Sequence, residues 1–465
     1  METDPLPPGE ADSAVRPVIE RVTATDLAVL AMGSAGPVPM QVGAALVLGA
    51  ERGFDVAAAT ELIADRIRSV PRLRQRLMPA PLGCGRPVWV DDAAFDVSLH
   101  VRTVTCPAPG DEQALLDAAT AVVTEPLPRS RPLWSAVFVT GLADGAVGLV
   151  VVVDHVLADG LGGLAVLASL VDQSARPEAP PFPKRRPSPS ELAADAFRGR
   201  LRTLSRLPLL WRDTRAAMGA AGGFNPAPAA RCSLIQPSGP RRRMAVVRTD
   251  LAALRAAAHL HGGTVNDAIL AAITGALHRV LEGRGESVEA FSVTVPVAAR
   301  RTATTSGLGN QVGPLLVSLP GAGDPGRRLA RIADVIRSRR GSVAAPPAVY
   351  PLGPSLRFAS RLGLYRWYMR HQRRLHTVVS NVRGPDRPLT IAGATIRAII
   401  PLSVSETGNV TVSFIALSYA GTLAITVVAD PDHLPDLPVL TAALRAELVA
   451  LITTPGETEA SAHQC

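Results

Sequence analysis

The stretch Gly148-Leu149-Val150-Val151-Val152-Val153-Asp154-His155-Val156-Leu157-Ala158-Asp159-Gly160 decides both fold and site. Its apolar run is short, β-branched and bounded by turn signals, so it reads as a buried strand that ends at a histidine. Leu161 to Leu170 reads as a helix, which puts His155 on a strand-to-helix turn, where a side chain can face a cleft. Imidazole is the side chain best matched to proton transfer near neutral pH, which makes His155 the first candidate for a general base. A plainer reading stands beside it: a satisfied histidine at a strand end, with Asp159 capping the next helix. Spacing alone decides little, because with 9 His and 39 Gly in 465 residues chance supplies roughly 0.065 matches to His-x-x-x-Asp-Gly.

Working outward, residues 20–170 alternate strand-like runs (Met40 to Leu48, Ala136 to Val139, Val147 to Val153) with helical ones (Val56 to Ile67, Asp111 to Val123), an α/β pattern. From Ala175 to Pro189 and again from Gly219 to Arg231 the chain is Pro-rich, and this region reads as a crossover or surface linker. The pattern resumes from Arg242. Helices are expected at Leu251 to Leu260 and Val265 to Leu281, and strands at Phe291 to Pro296, Val312 to Leu319, Thr377 to Asn381, Ala394 to Leu402, Val410 to Tyr419 and Thr422 to Ala429. The expected partition is a disordered tail at 1–18, an N-terminal domain at 19–174, a crossover with a basic amphipathic segment at 175–241, a C-terminal domain at 242–455 and a tail at 456–465. Two α/β halves of similar size place a cleft between them, a preferred location for ligands.

The net charge of +8 invites an anionic partner, yet Lys184 is the only lysine, and an Arg-, Ala-, Gly- and Pro-rich composition looks like high-GC coding bias. Aromatic residues make up only 4%, which argues against nucleic acid as a partner, since single-strand binding uses stacking platforms. Cys84, Cys106, Cys232 and Cys465 are scattered, with no His at ligand spacing, so neither a disulfide framework nor a metal site is expected. Met1 to Val15 has neither the basic start nor the apolar core of a signal peptide, and no run of about 18 apolar residues predicts a spanning helix. The expected location is cytoplasmic.

Several collinear segments carry a resemblance. Thr25-Asp26 precedes Pro39-Met40-Gln41-Val42-Gly43; Pro71-Arg72-Leu73-Arg74, Trp89, Phe95-Asp96, His100-Val101, Pro126-Leu127 and Arg131-Pro132-Leu133-Trp134 follow. After the Asp154-His155-x-x-x-Asp159-Gly160 stretch come Val265-Asn266-Asp267, Val295-Pro296-Val297 with Arg300, Gly309-Asn310 and Ser380-Asn381-Val382-Arg383-Gly384-Pro385. Over roughly residues 20–450 the chain resembles the bacterial wax ester synthase/diacylglycerol acyltransferase family, whose signature is His-His-x-x-x-Asp-Gly.

The resemblance implies two chloramphenicol-acetyltransferase-like α/β domains, with mixed sheets flanked by helices and an active-site tunnel at their interface. It implies acyl-CoA as co-substrate, diacylglycerol or a long-chain alcohol as acceptor, and no resident cofactor. In that chemistry His155 takes the proton of the attacking hydroxyl and returns it to the departing thiolate in a ternary complex. No Gly-x-Ser-x-Gly elbow accompanies it to suggest a covalent intermediate. Asp159 is then structural, paired with Arg300, because a buried charge needs a partner. The glycines Gly160, Gly162 and Gly163 either admit backbone amides to a ligand or serve close packing. Asn266, Asp267, Asn310, Ser380 and Asn381 are pocket candidates; Asn266-Asp267 also reads as the cap of the helix that follows.

One departure stands out: the first histidine of the signature is Asp154 here. Residues alternate faces at a strand end, so only one of positions 154 and 155 can face the reacting atoms. Asp154 can orient the imidazole or raise its pKa. A condensation-like enzyme using a carrier-protein donor and a catalytically weak lipid-binding member are the competing readings. Phe197 to Arg215 and Arg357 to Leu375 mix arginines with leucines and aromatics, a composition suited to peripheral contact with an anionic inner membrane face or lipid inclusion, and equally to a helix packed on its own protein.

Overall fold

The computed structural model describes residues 18–33, 36–49, 53–174, 180–205, 208, 212, 215, 228–298, 308–310, 312–340, 358–404 and 408–453. The first half supplies strands β1 (Gln41–Leu48), β2 (Gln75–Met78), β3 (Val88–Asp91), β4 (Val101–Thr105), β5 (Trp134–Thr140) and β6 (Val147–Asp154), with helices α1 (Ala24–Gly33), α2 (Val56–Ile67), α3 (Glu112–Thr124), α4 (Gly160–Leu170) and α5 (Pro189–Leu204). The second supplies β7 (Arg243–Asp250), α6 (Leu251–Leu260), α7 (Val265–Gly283), β8 (Ala290–Ala298), β9 (Val312–Pro320), α8 (Pro325–Arg340), α9 (Leu364–His371), β10 (Thr377–Arg383), β11 (Thr390–Ile391), β12 (Ala394–Ser403), β13 (Val412–Tyr419), β14 (Thr422–Ala429) and α10 (Leu437–Thr453).

Two mixed six-stranded sheets result, in the orders β11-β12-β1-β6-β5-β4 and β7-β14-β13-β10-β8-β9. The valine run of β6 is buried on both faces, which is why it reads as continuous rather than alternating. Val150 and Val152 pack with Leu115, Leu116, Ala119, Val122 and Val123 of α3, whose spacing makes one helical stripe. Leu149, Val151 and Val153 face the opposite side, in the core shared with Val166, Leu167 and Leu170 of α4. In the second sheet Val379, Val412, Phe414 and Ala416 pack towards α6, α7 and α10. Helix α7 is buried continuously from Asp267 to Leu277, as befits a helix apolar on nearly all sides.

The linear partition at residue 242 does not describe the sheets. Residues 390–403 leave the second half and join the first sheet: β12 pairs antiparallel with β1, from Val42 opposite Ser403 to Leu48 opposite Ile396. The described part of the crossover carries a packed helix. Helix α5 starts with a Ser188/Glu191 capping box, and its Leu192 packs with Cys84, Val88 and Val90. Arg21 anchors it, donating to Asp195 Oδ2 at 2.6 Å and to the Leu192 carbonyl at 2.8 Å.

Two buried histidines set a pH limit. The His376 Nδ1 accepts the Ser292 N–H at 2.9 Å and its Nε2 donates to the Ala230 carbonyl at 2.9 Å, a neutral tautomer with both positions satisfied. His100 stacks on Trp134, centroids 4.4 Å apart, with Nδ1 against the Trp134 carbonyl. Burial is the main cause holding both pKa values below the ordinary 6.5. A depressed folded value means the unfolded chain binds the proton first. Stability is therefore complete above about pH 6.5 and is lost as pH falls from there through the folded values. The urea midpoint is expected to be flat from pH 8 to 7 and to drop between pH 6.5 and 5; a flat profile throughout contradicts the assignment.

Candidate active site

A cavity of about 140 Å³ lies between the two sheets at the end of β6. Val151, Val153 and His155 face it in strict alternation, so the strand periodicity aims the imidazole inward. From α4 come Gly160, Gly163, Leu164 and Leu167, one helical face. The opposite wall is Val378, Ser380 and Val382 of β10 with Ser413, Ile415 and Leu417 of β13. Both halves thus build one cavity, and His155 is the only titratable side chain among the described residues that line it.

The backbone of His155 is held from two directions. Its N–H donates to the Met40 carbonyl at 2.9 Å, and its carbonyl accepts from Asn310 Nδ2 at 2.7 Å. Asn310, 3% exposed, is itself fixed by Asp26, whose Oδ1 accepts the Asn310 N–H at 3.0 Å and Nδ2 at 2.9 Å. Asp26 in turn takes the Thr23 N–H at 2.8 Å through its other oxygen. A chain of polar contacts therefore runs from α1 through the loop before β9 to the His155 turn. The His155 Nδ1 is buried and has no hydrogen-bond partner among the described residues.

Asp154 does not line the cavity. Its Oδ1 accepts the Val156 N–H at 2.9 Å, which shapes the turn that follows. Burial, the largest influence, raises its carboxyl above the usual range, against the pull of the Val156 N–H, Arg129 and His155. A raised folded pKa gives stability that is complete below the unfolded value and is lost as pH rises through the folded one, so ionising Asp154 costs the fold.

A family model described as the wax ester synthase/diacylglycerol acyltransferase catalytic domain matches residues 22–269, and one described as the WS/DGAT C-terminal domain matches residues 308–451. The chain belongs to the wax ester synthase/diacylglycerol acyltransferase family. A Mycobacterium tuberculosis protein named "Probable diacyglycerol O-acyltransferase tgs1" is 31% identical over 402 residues, covering 82% of this chain and 85% of its own. Among solved structures, the wax ester synthase/diacylglycerol acyltransferase from Marinobacter aquaeolei VT8 superposes with a TM-score of 0.65 at 22% identity, over 93% of this chain and 98% of that one. A variant of the starter condensation domain of rhizomide synthetase, described in complex with C8-CoA, has a TM-score of 0.60 at 15% identity, over 93% and 95% of the two chains. The fold class expected from the resemblance is thus the one observed, and the chain is an O-acyltransferase.

Within this wax ester synthase/diacylglycerol acyltransferase fold the other candidate residues take distinct places. Asp159 is 1% exposed and caps α4, its Oδ1 accepting the Gly162 N–H at 2.8 Å. Arg300 lies outside the described residues. Ser380 and Gly160 line the cavity; Asn381 is exposed, because the alternation that points Ser380 inward turns its neighbour away. Asn266 and Asp267 do not line the cavity. The cap of α7 begins two residues earlier than Asn266: Thr264 is the N-cap, and Asp267 completes a capping box as the third helical residue, accepting the Thr264 N–H at 2.8 Å and supplying the expected negative charge in the first turn. Asn310 touches the His155 backbone rather than the space a ligand would fill. Ser403 and Ser413, which the sequence patterns above do not mark, line the cavity as well; alternation with Pro401 on β12 and with Ile415 and Leu417 on β13 was the available signal.

Proposed function

We propose that this O-acyltransferase moves a long-chain acyl group from acyl-CoA to the hydroxyl of diacylglycerol or a long-chain alcohol, with His155 as general base in a ternary complex. The observation that carries this reading is a lone imidazole in an otherwise uncharged, largely apolar cavity built by both halves. As the acceptor oxygen bonds to the thioester carbonyl carbon, the imidazole takes the hydroxyl proton. The tetrahedral oxyanion then collapses, the C–S bond breaks, and the imidazolium returns the proton to the CoA thiolate. The family names and the C8-CoA complex of a similarly folded condensation domain support the donor class. Labelled palmitoyl-CoA with diacylglycerol or hexadecanol should give triacylglycerol or wax ester. Failure of CoA thioesters with every acceptor, alongside turnover of a carrier-protein thioester, would move the enzyme to the condensation class. Half-buried Asp154, in place of the first signature histidine, favours a second reading, lipid binding with weak turnover; there, binding without product would be unchanged by His155→Ala.

No helix among the described residues is long and apolar enough to cross a membrane. Helix α9 and its approach expose Phe358, Leu362, Leu364 and Trp367, the last at 63%, beside Arg361, Arg366 and Arg370. This supports peripheral contact with an anionic lipid surface, where such substrates reside. Phosphatidylglycerol vesicles should co-sediment with the protein several-fold less after Trp367→Ser, and neutral vesicles weakly in either case; equal binding of both proteins refutes this contact.

A further inference from the structure

Two of the glycines after the motif line the cavity, and they are not equivalent. A Cβ on Gly160 would come within 2.9 Å of Val382 Cγ2, so packing explains that residue. A Cβ on Gly163 would meet nothing within 4 Å, and its backbone is ordinary helix, donating to the Asp159 carbonyl at 2.7 Å. Glycine inside a helix is costly relative to alanine. Neither strain nor crowding requires it at 163, yet the position faces the cavity. Leu164 beside it and Leu167 one turn on also line the cavity.

We propose that Gly163 is a specificity-determining residue that keeps the bore of the cavity open beside His155, so that a linear hydrocarbon chain can pass α4. The inference rests on the acyl-transfer reading above. A leucine at 163 would put four carbons into a space of about 140 Å³. It would exclude the methylenes of a chain passing there, each contributing roughly fourfold to binding. Either substrate has such a chain, and the experiment separates them. Full-length wild type, Gly163→Ala and Gly163→Leu would be titrated calorimetrically with butyryl-, octanoyl- and palmitoyl-CoA, and assayed with butanol, octanol and hexadecanol against each donor. Gly163→Leu is expected to lose at least tenfold in palmitoyl-CoA affinity with butyryl-CoA unchanged if the acyl chain runs past α4, or to show the same length-dependent loss in kcat/KM across the alcohols if the acceptor does. Gly163→Ala should show a smaller loss of the same sign, with a melting temperature equal to or above wild type because the helix gains a better former. Equal length profiles for all three proteins, or equal losses at every chain length, overturn the gate while leaving the transferase reading intact. A wild type that binds no acyl thioester of any length overturns both.

Discussion

Replacing His155 with alanine is expected to lower kcat for ester formation by about 10² to 10⁴, the range for losing a positioned general base. That corresponds to roughly 3–5 kcal/mol of transition-state stabilisation. The expectation rests on three features: the ring is the lone titratable group among the described residues that line the cavity, the β6 alternation aims it there, and its backbone is held by Met40 and Asn310. Those backbone contacts survive the substitution, so the turn should keep its shape and the KM for acyl-CoA should change little. Radiolabelled acyl transfer at saturating donor, with the melting temperature as a folding control, checks this. A folded His155→Ala enzyme within threefold of wild type would remove the imidazole from the mechanism.

Glu447→Leu should cost about 3–5 kcal/mol of stability, because it strands a buried guanidinium. Arg328 is 2% exposed and pairs with Glu447, itself 1% exposed. Its remaining donors go to main-chain oxygens: Nε to Ala271 at 3.0 Å, and one terminal nitrogen to Gly321 at 3.2 Å and Gly323 at 2.8 Å. Arg279 reaches the other Glu447 oxygen at 2.7 Å. Gly275 leaves the room this requires, since a Cβ there would sit 2.3 Å from the Arg328 guanidinium. Burial lowers the Arg328 pKa, against the pull of Glu447. The double variant Arg328→Met/Glu447→Leu should recover much of the loss, since an apolar pair no longer buries a charge. Urea unfolding of both singles and the double measures the coupling; a Glu447→Leu loss below about 1 kcal/mol would mean that water reaches the pair.

Much of this architecture could be read from local pattern. The valine run, the two-residue alternation and the glycines after Asp159 placed β6, the turn and α4 within a residue, because strand burial and helix capping act over short distances. Asp267 shows where local reading falls one step short: its charge lies in the first turn of α7 and it joins the cap, but the N-cap is Thr264, two residues before Asn266, and the two close a capping box together. Nothing local could reveal that Asp26 holds Asn310, 284 positions away, which holds His155. The same holds for β12, whose apolar content announced a strand but not the sheet it would enter. Pairing partners are chosen by long-range register, and a strand carries no mark of which edge it completes.

That choice of edge ties the two sheets to each other through the chain itself. With β12 hydrogen-bonded along β1, the chain leaves the second sheet after β10, completes the first, and returns at β13, so two further covalent crossings strap the sheets together. For the same reason a polypeptide stopped after residue 241 would expose the bare flank of β1, an invitation to self-association rather than a separable module.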